Sequence, residues 1–335
     1  MSAGVQIIDL QAQADHRPVY QVVLSNACAK ISLFSFGATL QSFVIDQPGF
    51  EKRDIVLGYP DWTNYQQTFA FSGNAYMGNI VGPIAGRVAN AQIPWGAGAW
   101  SFTPNEGPHL LHGGPNNFSN HNWEVKHTPN ATHPTITFEL EEKEKFGLPG
   151  GLSCAVTYTL RETALDISIE TFATDDTIAN PTQHCYFNPN GHQGDILDTA
   201  AFIRAKGYLE LDATKLPTGQ ITALSGENQE GFVALNPLYD GLDHAFVLNA
   251  AQDQAQLLAQ DGFRLAFSTN QRLFQVYIGG QTPFVGKDHT NYHRFSGICL
   301  EQQAEPDAPH HANFSDIYLS KNQKKVNLLT IQFDQ

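Results

Sequence analysis

A chain of 335 residues with 41% hydrophobic, 11% aromatic and 16% charged side chains has enough apolar material for an extensive core, which excludes a disordered polypeptide. Its 19 Lys+Arg against 33 Asp+Glu give a formal charge of -14, a field that repels polyanions, so nucleic acid and anionic membranes are poor partners and neutral ligands fit better. No apolar run reaches membrane-spanning length and no Gly-rich phosphate loop ending in Lys-Ser/Thr occurs. Met1 to Asp15 lacks a signal-peptide pattern, and Cys28, Cys154, Cys185 and Cys299 are scattered without zinc-site spacing or disulfide-scaffold density. A cytoplasmic protein with reduced thiols is expected.

Short alternating or β-branched runs predict strands at Val19–Leu24, Ile31–Phe36, Thr135–Leu140, Ala155–Leu160, Leu165–Thr171, Phe274–Ile278 and Leu328–Phe333, separated by Gly, Pro, Asn and Asp. Pro60–Gln66 reads as a helix opened by proline. Ala250–Gln260 has helical composition, but Asp261-Gly262 between Ala255–Gln260 and Phe263–Phe267 is a tight-hairpin signal, which favours paired strands there. Gly96–Gly98 and Gly113–Gly114 read as turns. With no repeat and no linker, residues 1–335 are expected to form a single all-β domain of stacked antiparallel sheets.

Four polar clusters interrupt this pattern. In Leu110-Leu111-His112-Gly113-Gly114 the two glycines permit a sharp turn and close approach of a ligand; a histidine before a turn is, on this segment alone, more often a surface or hydrogen-bonded structural residue. In Pro181-Thr182-Gln183-His184-Cys185-Tyr186-Phe187-Asn188 a strand would put Thr182, His184, Tyr186 and Asn188 on one face, suited to a ligand or to an internal hydrogen-bond network.

In Gly297-Ile298-Cys299-Leu300-Glu301-Gln302 the same period separates Ile298 and Leu300 from Cys299 and Glu301. A carboxylate inside so apolar a strand needs a partner or a cleft, so Glu301 is a candidate functional group, with a structural ion pair as the alternative. The fourth cluster holds Arg87 and Asn90 in Gly86-Arg87-Val88-Ala89-Asn90, Asp243 in Gly241-Leu242-Asp243-His244, and Gln275 with Tyr277 on one strand face. Each is commonplace alone, and a polar face suits a cleft lining and a solvated sheet equally. Together they offer carboxylate, imidazole and amide groups for a neutral, polyhydroxylated ligand. His112, His184 and Glu301 also compose a two-histidine, one-carboxylate set, but no His-Glu-x-x-His or similarly tight spacing occurs, so no metal is expected.

These segments, in order and over nearly the whole chain, resemble the aldose 1-epimerase (galactose mutarotase) family. The likeness is carried by Gly86-Arg87-Val88-Ala89-Asn90, Asn105-Glu106-Gly107, Leu111-His112-Gly113-Gly114, His184-Cys185-Tyr186-Phe187-Asn188, Leu216-Pro217-Thr218-Gly219, Asp243-His244-x-Phe246, and Cys299-Leu300-Glu301-x-Gln303 with Pro306-Asp307-Ala308. The resemblance implies a large antiparallel β-sandwich of the mutarotase type and interconversion of the α and β anomers of a free aldose of the galactose or glucose type, without cofactor. Glu301 would be the catalytic base, His184 the acid and His112 a second active-site histidine, while Asn90, Asp243 and Gln275 would bind sugar. A non-catalytic sugar-binding module of the same fold is the alternative, and a monomer or homodimer acting on a small free sugar is expected.

The chain departs from the family at Ala91, where a sugar-binding arginine is usual, at Gln183, where asparagine is common, and at Pro189 in place of leucine. Ala91 supplies no hydrogen bond to a hydroxyl, and Arg87 is the candidate replacement. The preferred sugar is therefore open between hexose, pentose and disaccharide.

Overall fold

The computed structural model describes every residue except 1–3, 69–74, 128, 130, 143–145, 227–230, 237–239, 250–251, 280–283 and 335. Three antiparallel sheets dominate. The chain opens with a five-stranded meander of Gly4–Ala14, Arg17–Ser25, Ala29–Phe34, Thr39–Ile45 and Arg53–Asp54. A nine-stranded sheet runs in the order Glu124–His127, Thr135–Glu142, Leu152–Leu160, Ala164–Ala173, Lys324–Asp334, Arg264–Thr269, Ala255–Leu258, Ala200–Ile203 and Val233–Ala234. A six-stranded sheet has the order Tyr186–Phe187, Ile298–Gln303, Leu273–Ile278, Asp243–Leu248, Ala205–Leu211 and Pro217–Ala223.

Side-chain period explains how these sheets stack. Along Leu152–Leu160 burial alternates at every residue, with Leu152, Cys154, Val156, Tyr158 and Leu160 inward. Those side chains join one hydrophobic cluster with Val22, Leu24, Ile31 and Leu33 of the meander, and with Phe246, Phe274, Val276, Ile298 and Leu300 of the six-stranded sheet. Each of these sheets therefore gives one face to a shared core. The other face of the six-stranded sheet is left to carry Asp243, Gln275, Tyr277 and Glu301. Register fixes their spacing: Asp243 lies opposite Tyr277, Gln275 opposite Glu301, and Tyr277 opposite Cys299.

All seven strand expectations fall on observed strands, and the Pro60–Gln66 helix is found at Trp62–Thr68. The paired strands around Asp261-Gly262 form, Leu258 facing Arg264, but the connection spans residues 259–263 and is not a two-residue turn. Ala259 N–H donates to the Phe263 carbonyl and Gly262 N–H to that of Ala259. Residues 250 and 251, the start of the segment with helical composition, lie outside the described residues. Pro181–Asn188 is not one continuous strand. Thr182–Gln183 pairs with Ile80–Val81 and Tyr186–Phe187 with Ile298–Cys299, and the ladder breaks between them because the Gln183 side-chain oxygen accepts the Cys185 N–H at 2.9 Å.

A buried cation ties the meander to a distant hairpin. Lys287, 6% exposed, follows the strand Phe284–Val285, which pairs with Asn291–Tyr292. Its ammonium donates to Asp54 Oδ2 at 2.6 Å, the Val56 carbonyl at 2.8 Å and the Gln41 carbonyl at 3.0 Å, using all three of its protons. Burial pulls its pKa down, opposed by the Asp54 carboxylate.

Candidate active site

On the face of the six-stranded sheet turned from the core lies a cleft of about 320 Å³, lined among others by Tyr76, Arg87, His112, His184, Asp243, Gln275, Tyr277, Glu301 and Gln303. Glu301 reaches it because residues 299, 301 and 303 share one strand face, and it is 2% exposed. His184 faces it from the broken segment, where its own N–H donates to Asn79 O and its carbonyl accepts from Gly78 N. His184 Nε2 stands 3.5 Å from Glu301 Oε1, too long for a strong direct hydrogen bond. Glu301 Oε2 has no hydrogen-bond partner among the described residues. On its far side, His184 Nδ1 is 3.7 Å from Cys299 Sγ.

His112 closes the group, its ring 5.5 Å from that of His184 and 4.9 Å from Tyr76. It has a positive φ of 52, followed by Gly113 at 82 and Gly114 at 80. A Cβ on Gly113 would stand 2.5 Å from the Gly82 carbonyl oxygen, so glycine is required there on both counts. The Gly86 N–H donates to His112 Nδ1 at 3.2 Å. That bond settles the neutral tautomer: Nδ1 is the acceptor and Nε2 carries the hydrogen.

Burial shifts the titrating groups toward their neutral forms. It raises the Glu301 carboxyl well above the usual carboxylate range, with the Asp243 charge adding to the effect and Arg87 opposing it. It lowers His184 to about 4, against raising contributions from its own backbone and Asp243. His112 is pushed down by burial and then by His184 and Arg87.

The cleft walls are themselves paired. Both oxygens of Asp243 are held, Oδ1 by Gln275 Nε2 at 2.8 Å and Oδ2 by Lys215 Nζ at 3.1 Å. Arg87 clamps Glu106 through two bonds of 2.6 and 2.9 Å. The structure thus brings Glu301, His184, His112, Asp243, Gln275 and Arg87 to one cleft. Asn90 is not brought there: it is exposed, with its backbone N–H on His109 Nδ1. Asn90 and Ala91 both have positive φ, and the turn they make buries Ala91 in an apolar cluster with Val88, Ile93 and Leu110. Tyr76, Glu106, Lys215 and Gln303 also line the cleft and were assigned no role from sequence. Glu106 and Gln303 belong to the quoted family segments and Lys215 immediately precedes one, whereas nothing around Tyr76 signals its place.

His112, His184 and Glu301 present ligand atoms within 4.8 Å of one another, the spacing of a metal centre. The His112 tautomer argues against that use, since one ring nitrogen is taken by Gly86 and the other bears a hydrogen. A ligand nitrogen needs a free lone pair.

Comparison with known proteins agrees with the fold. A galactose 1-epimerase from Lactobacillus acidophilus superposes with a TM-score of 0.85 over 99% of each chain at 23% identity, which places this protein among the galactose mutarotase-like β-sandwiches. In sequence it is 28% identical to a maltose epimerase from Levilactobacillus brevis over 338 residues, 95% of this chain and 96% of that one. It is 30% identical to a galactose mutarotase from Mus musculus over 302 residues, 85% of each. The aldose 1-epimerase family model matches residues 20–331, and the chain belongs to that family. It is an isomerase of the mutarotase type, acting on sugar anomers. Among the described residues no helix is long and apolar enough to cross a membrane.

Proposed function

We propose that this enzyme interconverts the anomers of a free aldohexose of the galactose or glucose type, with Glu301 and His184 as the acid–base pair. The observation that carries the reading is the buried 3.5 Å approach of His184 Nε2 to Glu301 Oε1 at the floor of a polar cleft. Ring opening requires loss of the proton on the anomeric O1 and delivery of one to the ring oxygen O5. The C1–O5 bond then breaks to the aldehyde, rotation about C1–C2 exchanges the faces, and closure reverses both transfers. No net proton is gained, so a pair that shares a single proton suffices. In its reactive form Glu301 is the carboxylate that accepts from O1 and His184 the imidazolium that donates to O5; the roles exchange on closure. His112, fixed as a donor at Nε2, can support charge on a sugar oxygen. Asp243, Gln275 and Arg87 would hold the remaining hydroxyls.

Polarimetry on freshly dissolved α-glucose and α-galactose tests the reading. Acceleration over the buffer rate supports it, and binding without acceleration would make the protein a sugar-binding module.

The pKa directions predict the pH profile. Below about 4, where His184 gains its proton while Glu301 keeps its own, the pair holds two protons and lacks a base. Above the raised Glu301 value the pair is empty and lacks an acid. The one-proton state spans the interval between, so kcat/KM should fall below about pH 4 and again above the raised Glu301 value, with a plateau between the two. An acid limb centred on the ordinary imidazole value would contradict the desolvated pair.

A further inference from the structure

Gln303 is fully buried and lines the cleft, and neither its side-chain oxygen nor its nitrogen has a hydrogen-bond partner among the described residues. Its surroundings explain the missing partners. Gln303 lies opposite Leu273, which in turn lies opposite Val247, and both belong to an apolar cluster with Ala245 and Ala304. A buried polar group left unpaired is destabilising, because it has given up its bonds to water without replacement. The Gln302 side chain is also without a partner among the described residues, but it alternates to the opposite face and does not line the cleft.

Gln303 shares its strand face with Glu301, whose Oε2 is likewise buried without a hydrogen-bond partner among the described residues. Two residues along a strand span about 7 Å, comparable to the reach from an anomeric oxygen to a hydroxyl across a pyranose ring. A hydroxyl both donates and accepts, as a carboxamide does. The arginine usual at position 91 is absent, and Ala91 is buried away from the cleft among apolar side chains, so hydroxyl recognition must rest on other groups.

We propose that the Gln303 carboxamide binds a hydroxyl of the sugar remote from the anomeric carbon, and that this contact selects aldoses carrying that hydroxyl over their deoxy counterparts. The proposal rests on the aldose 1-epimerase reading for its ligand class. Calorimetric affinities of the wild type and Gln303→Leu would be measured for glucose, galactose and their monodeoxy derivatives, with thermal melts alongside. The variant should bind the parent sugar about tenfold more weakly, one hydrogen bond's worth. For one deoxy derivative the wild type should already show that loss and the variant should match it. Because an unpaired polar group is removed, the melting temperature should not fall. Equal weakening across every derivative, or no weakening, would overturn the proposal. So would a marked fall in melting temperature in both Gln303→Leu and the nearer-length Gln303→Met, since the amide would then be satisfied within the protein. Polarimetry on the same wild-type samples keeps the two claims separate: sugar bound without acceleration defeats the epimerase reading and leaves the Gln303 result standing.

Discussion

Glu301→Gln should lower anomerisation by roughly 10²- to 10⁴-fold, the range for a positioned acid–base group, while making the protein more resistant to unfolding at neutral and alkaline pH. Both effects follow from burial. The side chain is 2% exposed, and its carboxyl is raised well above the usual range, chiefly by desolvation. A carboxyl raised in the folded state favours the protonated form. Its contribution to stability is complete below the unfolded value of about 4.3 and is lost as pH climbs toward the folded one. Glutamine keeps the shape, cannot ionise and cannot accept the O1 proton. Polarimetry across neutral pH and melting curves between pH 5 and 9 check the two halves: the variant's advantage in melting temperature should widen toward alkali. Near wild-type turnover would remove Glu301 from the mechanism, and a variant less stable than wild type throughout would show a structural ion pair instead.

Lys287→Met should be strongly destabilising. It withdraws three donors from the Asp54 carboxylate and the Gln41 and Val56 carbonyls, and the Asp54 side chain is 13% exposed. Removing one partner of a buried pair costs about 3–5 kcal/mol, a fall in melting temperature of roughly 4–7 °C for a chain of this length. The hairpin that Lys287 anchors begins with Phe284, a cleft-lining residue. A rise in KM should therefore accompany the lost stability, with kcat little changed because Glu301 and His184 stand on other segments. Thermal melts and steady-state kinetics on the same preparation test both. An unchanged melting temperature would mean the Lys287–Asp54 pair contributes nothing net.

Strands were legible in this sequence where a β-branched or alternating apolar run maps directly onto burial, as in Leu152–Leu160, whereas Ala205–Leu211, whose inward positions include Ala and Gly, was not. The Asp261-Gly262 hairpin was legible as a pairing but not as a turn length, which depends on the hydrogen bonds of Ala259, Gly262 and Phe263. Pro181–Asn188 misled for a different reason. A side-chain amide takes a backbone N–H there, and period-two reading has no term for that competition. In the cleft, Glu301 stood out as a carboxylate among apolar neighbours, and the family segments supplied the roles of His184 and His112. Asn90 was expected at the sugar through its segment, yet it is exposed on a left-handed turn with Ala91 and is not among the residues lining the cleft. Lys215 was invisible because its partner Asp243 lies on another strand.

The cleft floor is a pleated strand, and this limits how the enzyme can change its specificity. Cys299 beside His184, Glu301 and Gln303 occupy successive positions on one face, locked against Tyr277, Gln275 and Leu273. A slip of one residue would present Leu300 and Gln302 in place of Glu301 and Gln303. In the proposed roles, chemistry at Glu301 and recognition at Gln303 are thus separated by a fixed interval that no small backbone adjustment can retune. On that reading, a new sugar preference arises on this strand by exchanging the side chain at position 303, with Glu301 left where it is.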